Sequence, residues 1–356
     1  MLIGLLQGLL PSFRSIACYT NEKSDRGVSM EYRKLGNTGL DISPICLGTM
    51  GFGEDKGEWI QQWVLDETKA KQVVKHALTI GINFFDTANV YTNGQSEVVL
   101  GRALKAYAKR EEIVLASKVF NPVAPTPNRA GLSRKAILTE IDQSLRRLDT
   151  DYLDLYIIHR WDYHTPIEET MRALDDLVRM GKVRYLGASA MYAWQFQKAN
   201  YVAQTNGWTP FVSMQNHLNL LYREEEREML PYCADAKIAV TPYSPLAAGR
   251  LARPLNAETP RFKSDFIARA KYDTTMDTDN EIIQRVNQLA ETYQVAPAAI
   301  SLAWLLNKPE VAAPIVGATK TRYLDDAVSA TEISLTQADI DYLEEPYLPH
   351  QVMGPQ

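Results

Sequence analysis

The 356-residue sequence predicts an α/β fold: a (β/α)8 TIM barrel with an N-terminal hairpin, a long loop after the seventh barrel strand and an extra C-terminal helix. Three observations lead there. Eight short runs are nearly continuously apolar, the pattern of strands buried on both faces. Stretches of helical period separate the runs, and strand–helix alternation implies parallel strands. Composition does not change along these units: 46% of residues are hydrophobic and 23% charged, ordinary values for a globular chain.

The opening MLIGLLQGLLPSF has the length of a signal-peptide apolar core, yet it lacks a cationic start and a small-residue cleavage site. It is too short to cross a bilayer. Ser15-Ile16-Ala17 before Cys18 is a poor lipid-attachment signal, and NEKSDRGVS reads as a linker. Residues 1–29 therefore read as a non-native or disordered extension, a targeting segment being the alternative. Residues 30–356 read as one barrel domain that starts to be patterned at Met30.

Leu35, Leu40, Ile42 and Pro44 around Gly36-Asn37 and Gly39 predict a hairpin that covers the bottom of the barrel. Barrel strands are expected within 45–50, 83–88, 113–119, 153–159, 183–189, 211–217, 238–244 and 312–318. Between them, Val73, Val74, Ala77 and Leu78 share one helical face, as do Ile137, Ile141, Leu145 and Leu148. The polar stretch from Leu246 to Thr278 is expected to be a long loop. A terminal helix over 336–345 and the tail PYLPHQVMGPQ follow the eighth unit.

Charge and cysteine usage exclude several function classes. Lys+Arg 38 against Asp+Glu 43 leaves a net charge of −5, without the basic footprint of a nucleic-acid binder. Cys18, Cys46 and Cys233 have no CxxC spacing, so no disulfide framework, zinc knuckle or other metal site is expected. The pattern fits a cytoplasmic protein whose partner is a small molecule.

Almost every apolar run ends in a polar or small residue: Asp86, Lys118, His159, Ser189, Gln215, Ser244 and Gly317. These are the C-terminal strand ends, where barrel active sites lie. Each has a dull explanation alone. Asp86, Tyr91, Lys118 and His159 at successive strand ends form a set suited to carbonyl reduction. A cation at Lys118 would stabilise the phenolate left when Tyr91 gives up its proton. Asp86 would hold Lys118, and His159 would orient the carbonyl. No strong nucleophile and no glycosidase-like carboxylate pair competes with hydride transfer.

Other features carry less. GFG (51–53) is not a dinucleotide fingerprint. The REEERE run (223–228) reads as a solvated helix face, and His164 and His217 as rim or core residues. Trp161 and Trp59 are candidates, with Tyr91, for an aromatic substrate wall.

The motifs GINFFDTANVY (81–91), LASKV (115–119), LDLYIIHRWD (153–162), VRYLGAS (183–189), VSMQNHLNLLYREEEREMLPYC (212–233), TPYSPLAAGRL (241–251) and PIVGATK (314–320) together resemble the aldo-keto reductase family, over residues 30–350. IIHRWD and REEEREMLP are particularly similar to the bacterial YajO-type branch, related to potassium-channel β-subunits. The resemblance implies NADPH-dependent reduction of aldehydes or ketones, with Asp86, Tyr91, Lys118 and His159 as the catalytic tetrad and Trp161 in the substrate pocket. For NADP(H) it implies Gly48, Thr49 and Met50 beside the nicotinamide ribose, Ser189 and Gln215 on the carboxamide, and Tyr243 stacked on the ring. It further implies Ser244, Leu246, Gly249 and Arg250 around the pyrophosphate, with Gly317, Thr319, Lys320 and Asp326 at the adenosine end. Ala190, Tyr323 and Ala327 depart from the family pattern, which has Asn, Gln and Asn there. Two other roles come with the resemblance: formation of 1-deoxyxylulose 5-phosphate, and a redox-sensing regulatory subunit.

Overall fold

A closed ring of backbone hydrogen bonds organises the computed structural model, which describes residues 30–53, 64–254 and 265–354. A two-stranded antiparallel hairpin, β1 (Arg33–Lys34) and β2 (Asp41–Ile42), comes first. Eight parallel strands follow: β3 (Cys46–Gly48), β4 (Phe84–Asp86), β5 (Val114–Val119), β6 (Leu153–Ile158), β7 (Val183–Ser189), β8 (Phe211–Gln215), β9 (Ala239–Val240) and β10 (Ile315–Gly317). Each of β3 to β8 pairs with its successor, and β10 returns to pair with β3. The last seam is sealed by the Val240 N–H on Glu310 O (2.8 Å), Ala312 N–H on Val240 O (2.9 Å) and Ile315 N–H on Pro242 O (2.8 Å). The sheet therefore closes on itself as a barrel and leaves no open edge. All eight expected strands are present.

Amphipathic helices wrap the outside. Glu67–Thr79 (α1) buries Ala70, Val73, Val74 and Ala77 and is capped by Asp66, whose side chain accepts from Lys69 N–H. Gln95–Tyr107 (α2) and Arg134–Leu148 (α3) cross so closely that a Cβ on Gly101 would sit 2.4 Å from the Leu148 carbonyl oxygen. Ile167–Arg179 (α4) and Ala193–Thr205 (α5) continue the ring. The terminal helix Gln337–Glu344 carries a capping box between Thr336 and Asp339.

The hairpin plugs the barrel bottom, as its pattern predicts. Leu35 and Ile42 are fully buried in a cluster with Cys46, Phe84, Val114, Ala116, Leu155, Ile157 and Ala239. Gly36 (φ 57°) lies against the backbone of Ala239 and Lys237, where a side chain has no room.

The stretch after the seventh barrel strand differs from the loop expected. Its described part is mostly helical: a 3-10 turn at Ala247–Ala252, then helices Phe266–Tyr272 and Met276–Tyr293. Asp265 caps the first helix through Ala268 N–H, and Ile282, Ile283, Val286 and Leu289 give the second a buried face that its polar start conceals. Residues 1–29 with Cys18, and Trp59, lie outside the described residues. No helix among the described residues is long and apolar enough to cross a membrane.

The α2–α3 crossing yields a first prediction. Gly101→Ala forces these helices apart at a backbone contact that cannot rotate away, an overpacking cost of typically ~1–3 kcal/mol. The melting temperature should fall by several degrees; an unchanged melting temperature would show that the crossing tolerates a methyl group.

Candidate active site

Strand periodicity alone carries the site upward from the core. Side chains two residues apart point the same way, and Cys46, Phe84, Ala116, Ile157 and Ser213 face the barrel axis or its buried layer. One step of two toward the C-terminal end gives Gly48, Asp86, Lys118, His159 and Gln215. The top layer of the same interior is thus polar where the layers below are apolar.

Lys118 is fully buried and Asp86 nearly so. An ammonium has three donors, and all three are used: on Asp86 Oδ1 (2.5 Å), Thr87 O (2.8 Å) and Tyr91 Oη (3.1 Å). Gln215 Nε2 donates to the second Asp86 oxygen at 3.0 Å. Burial works to depress the Lys118 ammonium's titration, but the charge of Asp86 and the contact with Tyr91 outweigh it and hold it above the ordinary lysine range. Because Tyr91 Oη accepts from Lys118, its own hydrogen is free to point away, into the mouth of the barrel. The Tyr91 ring meets His159 edge-on at 5.8 Å.

His159 is half-buried, and Asn121 Nδ2 contacts its Nδ1 at 3.1 Å. An amide N–H there makes Nδ1 the acceptor and leaves the proton on Nε2. Burial, then the positive charges of Lys118 and Arg160, push this imidazole well below the usual histidine range. It is a neutral donor. Cys46, beneath Asp86, is pushed the other way by burial and by the Asp86 charge, so its thiol stays protonated and unreactive.

Tyr91 reaches this position through a tightly held turn. Thr92 (φ 49°), Asn93 (φ 52°) and Gly94 (φ 86°) are consecutive left-handed residues, strained for the first two. Thr92 Oγ1 donates to Phe52 O (2.8 Å). Thr49 is fully buried, its hydroxyl bonded to Asp86 O (3.0 Å) and to Ser96 Oγ (3.0 Å). Its side chain thus ties the first strand end to the second.

The residues expected to hold a cofactor lie at the C-terminal strand ends or in the segments that follow them. Ser189 and Gln215 are buried at the ends of β7 and β8, and Met50 is exposed. Tyr243 is stacked on His217 (5.2 Å), with the Lys271 ammonium 4.9 Å from its ring centroid and its own hydroxyl buried without a partner among the described residues. Ser244, Ala247, Ala248 and Gly249 all have left-handed φ, in a loop with Leu246. Within it the Ala247 N–H donates to Ser244 O (3.0 Å) and the Gly249 N–H to Leu246 O (2.7 Å), so the loop is held by its own backbone hydrogen bonds. Arg250 is ion-paired to Asp273 at 2.8 Å. Gly317, Thr319 and Lys320 are exposed and Asp326 half-buried around the helix Arg322–Ser329. Trp161 is half-buried beside Trp194 (6.1 Å).

Sequence reading missed several contributors. Asn121, which fixes the His159 tautomer, follows β5 by two residues and resembles any polar loop residue. Arg322 and Arg253 join Lys320 in the electrostatic surroundings of Tyr323. The REEERE segment is not a solvated helix face: Glu224 and Glu225 are buried, and Glu224 accepts from Tyr347 Oη (2.7 Å) and His350 N–H (2.9 Å). The C-terminal tail folds across it, and burial pushes the Glu225 carboxyl up to about 7. His164 is exposed at the rim and His217 buried, as their lack of metal-ligand spacing suggests.

The neutral donor state of His159 is directly testable. Its imidazole should remain unprotonated at pH 5.5 with the hydrogen on Nε2, read from ¹⁵N shifts; an imidazolium signal at that pH would refute the assignment.

The sequence pattern of the aldo/keto reductase family matches residues 44–347. A versiconal hemiacetal acetate reductase of Aspergillus parasiticus is 43% identical over 91% of this chain and 98% of its own length. A Schizosaccharomyces pombe protein that carries an aryl-alcohol dehydrogenase name is 43% identical over 91% of this chain and 97% of its own. One of Saccharomyces cerevisiae with the same kind of name is 41% identical over 89% and 97%. These relatives are fungal.

Proposed function

We propose, from the premise that this chain belongs to the aldo/keto reductase family and is an oxidoreductase acting on carbonyl groups, that it reduces aldehydes or ketones with NADPH and uses Tyr91 as the proton donor. The observation that carries this reading is the triply engaged Lys118 ammonium, which makes Tyr91 Oη an acceptor and leaves its own hydrogen available to another acceptor. The names of the relatives make aryl carbonyls the first substrates to try.

The residues fit a nicotinamide dinucleotide. The Tyr243 hydroxyl, buried without a partner among the described residues, is open to a hydrogen bond from such a ligand. Lys320 and Arg322 offer charge to a 2′-phosphate at the N-terminus of Arg322–Ser329. A reduced nicotinamide supplies the hydride when bound. His159 Nε2–H and Tyr91 Oη–H both donate to the carbonyl oxygen, which polarises the bond. Tyr91 then passes its proton to the developing alkoxide, and Lys118 stabilises the phenolate that remains. The phenolate recovers a proton from water.

Tyr91→Phe should lower the reduction rate by ~10²–10⁴-fold, the usual contribution of a general acid, with NADPH affinity nearly intact. Retention of more than half the wild-type rate would remove Tyr91 from the role. A panel of aldehydes and ketones assayed with NADPH separates the sugar-phosphate and redox-sensing readings, suggested by the likeness to the bacterial branch: the first predicts no turnover of simple aldehydes, the second cofactor binding with very slow turnover.

Cofactor preference has its own test. Only NADPH offers a 2′-phosphate, so it should bind roughly tenfold tighter than NADH. Lys320→Ala should narrow that ratio, as should added salt. Equal dissociation constants in the wild-type protein would exclude the role of Lys320.

A further inference from the structure

A cavity of about 280 Å³ opens at the mouth of the barrel, lined by Arg160, Tyr243, Lys271 and residues 351–354 of the tail. Two of its walls are cationic. Arg160 directly follows His159, and its guanidinium turns back to donate to His159 O at 3.0 Å. Lys271, from the helix Phe266–Tyr272, reaches over Tyr243. Elsewhere in this chain cations at helix and loop junctions find carboxylates, as Lys118, Arg147, Arg223 and Arg250 do. Among the described residues, no carboxylate lies within ion-pair distance of Arg160 or Lys271.

We propose that Arg160 and Lys271 form a subsite for an anionic group on the substrate, so that carbonyl compounds carrying a carboxylate or phosphate away from the reacting carbon are favoured. Three considerations carry this, all resting on the carbonyl-reducing reading above. Two like charges facing one cavity repel, and an anion between them removes that cost. Burial, then the charge of Arg160, lowers the Lys271 ammonium to about 8, against a weaker opposing pull from Asp265. The cavity lining includes neither Lys320 nor any residue of 244–249, the segments expected above to hold the cofactor phosphates. The back wall is firm: Tyr222 Oη donates to Met353 O (3.0 Å) and accepts from Met353 N–H (2.9 Å). A lysine on a flexible stem moves off the Tyr243 ring to meet a ligand at little cost.

The test compares 4-carboxybenzaldehyde with 4-nitrobenzaldehyde as substrates, and measures benzoate binding by calorimetry with and without saturating NADP⁺. The wild-type protein should favour the acid, and benzoate should bind the NADP⁺-loaded form. Arg160→Met and Lys271→Met, which keep the apolar stems, should each lower the acid-to-nitro ratio of kcat/KM and the benzoate affinity about tenfold. Arg160→Lys should keep most of the preference. Benzoate that binds only without NADP⁺, or variants that weaken NADPH while the ratio holds, would assign the cations to the cofactor and overturn the proposal. So would a wild-type protein without acid preference or benzoate binding. If neither aldehyde is reduced, the carbonyl-reducing reading fails, while benzoate binding still decides whether the anion subsite exists.

Discussion

An ammonium with no access to water sits at the top of the barrel, and most of the site follows from keeping it there. Lys118 can stay charged only while Asp86 stays beside it, because an unpaired buried charge costs typically ~3–5 kcal/mol. The pair demands three further partners. Thr87 O and Tyr91 Oη satisfy the remaining Lys118 donors, and Gln215 satisfies the second Asp86 oxygen. Strands β4, β5 and β8 are therefore linked through one charge-balanced cluster, and Tyr91 is placed by the need to complete it.

Around that cluster lies a second polar ring that fixes the segments between strands and helices. Ser96 bridges Thr49 and Thr87, so the ends of β3 and β4 move together. Glu97, fully buried on α2, accepts from Ser117 Oγ and from Arg147 Nε at 2.5 Å each. Glu140 on α3 accepts from Asn89 and Arg129. Asn89 stands two residues before Tyr91, so this ring braces the strained turn that aims the phenol. Strain at Thr92 and Asn93 persists because their surroundings leave no alternative.

The opposite rim is held by the C-terminal tail. Arg223 ties Glu226 to Glu344, Glu224 collects Tyr347 and His350, and His350 reaches Asp279 at 3.1 Å. These contacts turn a run of charges into an internal clamp and bring residues 351–354 over Tyr243. The tail thus becomes a wall of the cavity rather than an appendage. Local sequence gave no warning, because Glu-rich runs are solvated faces unless something distant covers them.

The strands were legible because burial on both faces leaves an unbroken apolar run, and each run marks its own C-terminal end with a polar residue. That placed Asp86, Lys118 and His159 at one rim before any contact was known. The helices of 265–293 were hidden because a polar first turn and a cap at Asp265 resemble a loop until the buried face of the later turns is counted. Sequence alone thus determined the barrel, its bottom plug and the polar residues that end its strands, since each rests on period and residue type within one element. Only the tertiary structure decided that Lys118 spends all three donors, that Asn121 sets the His159 tautomer, and that Arg160 and Lys271 face one cavity. Those facts depend on side chains from different strand ends meeting at a distance of a few ångströms, and no local pattern encodes such a meeting.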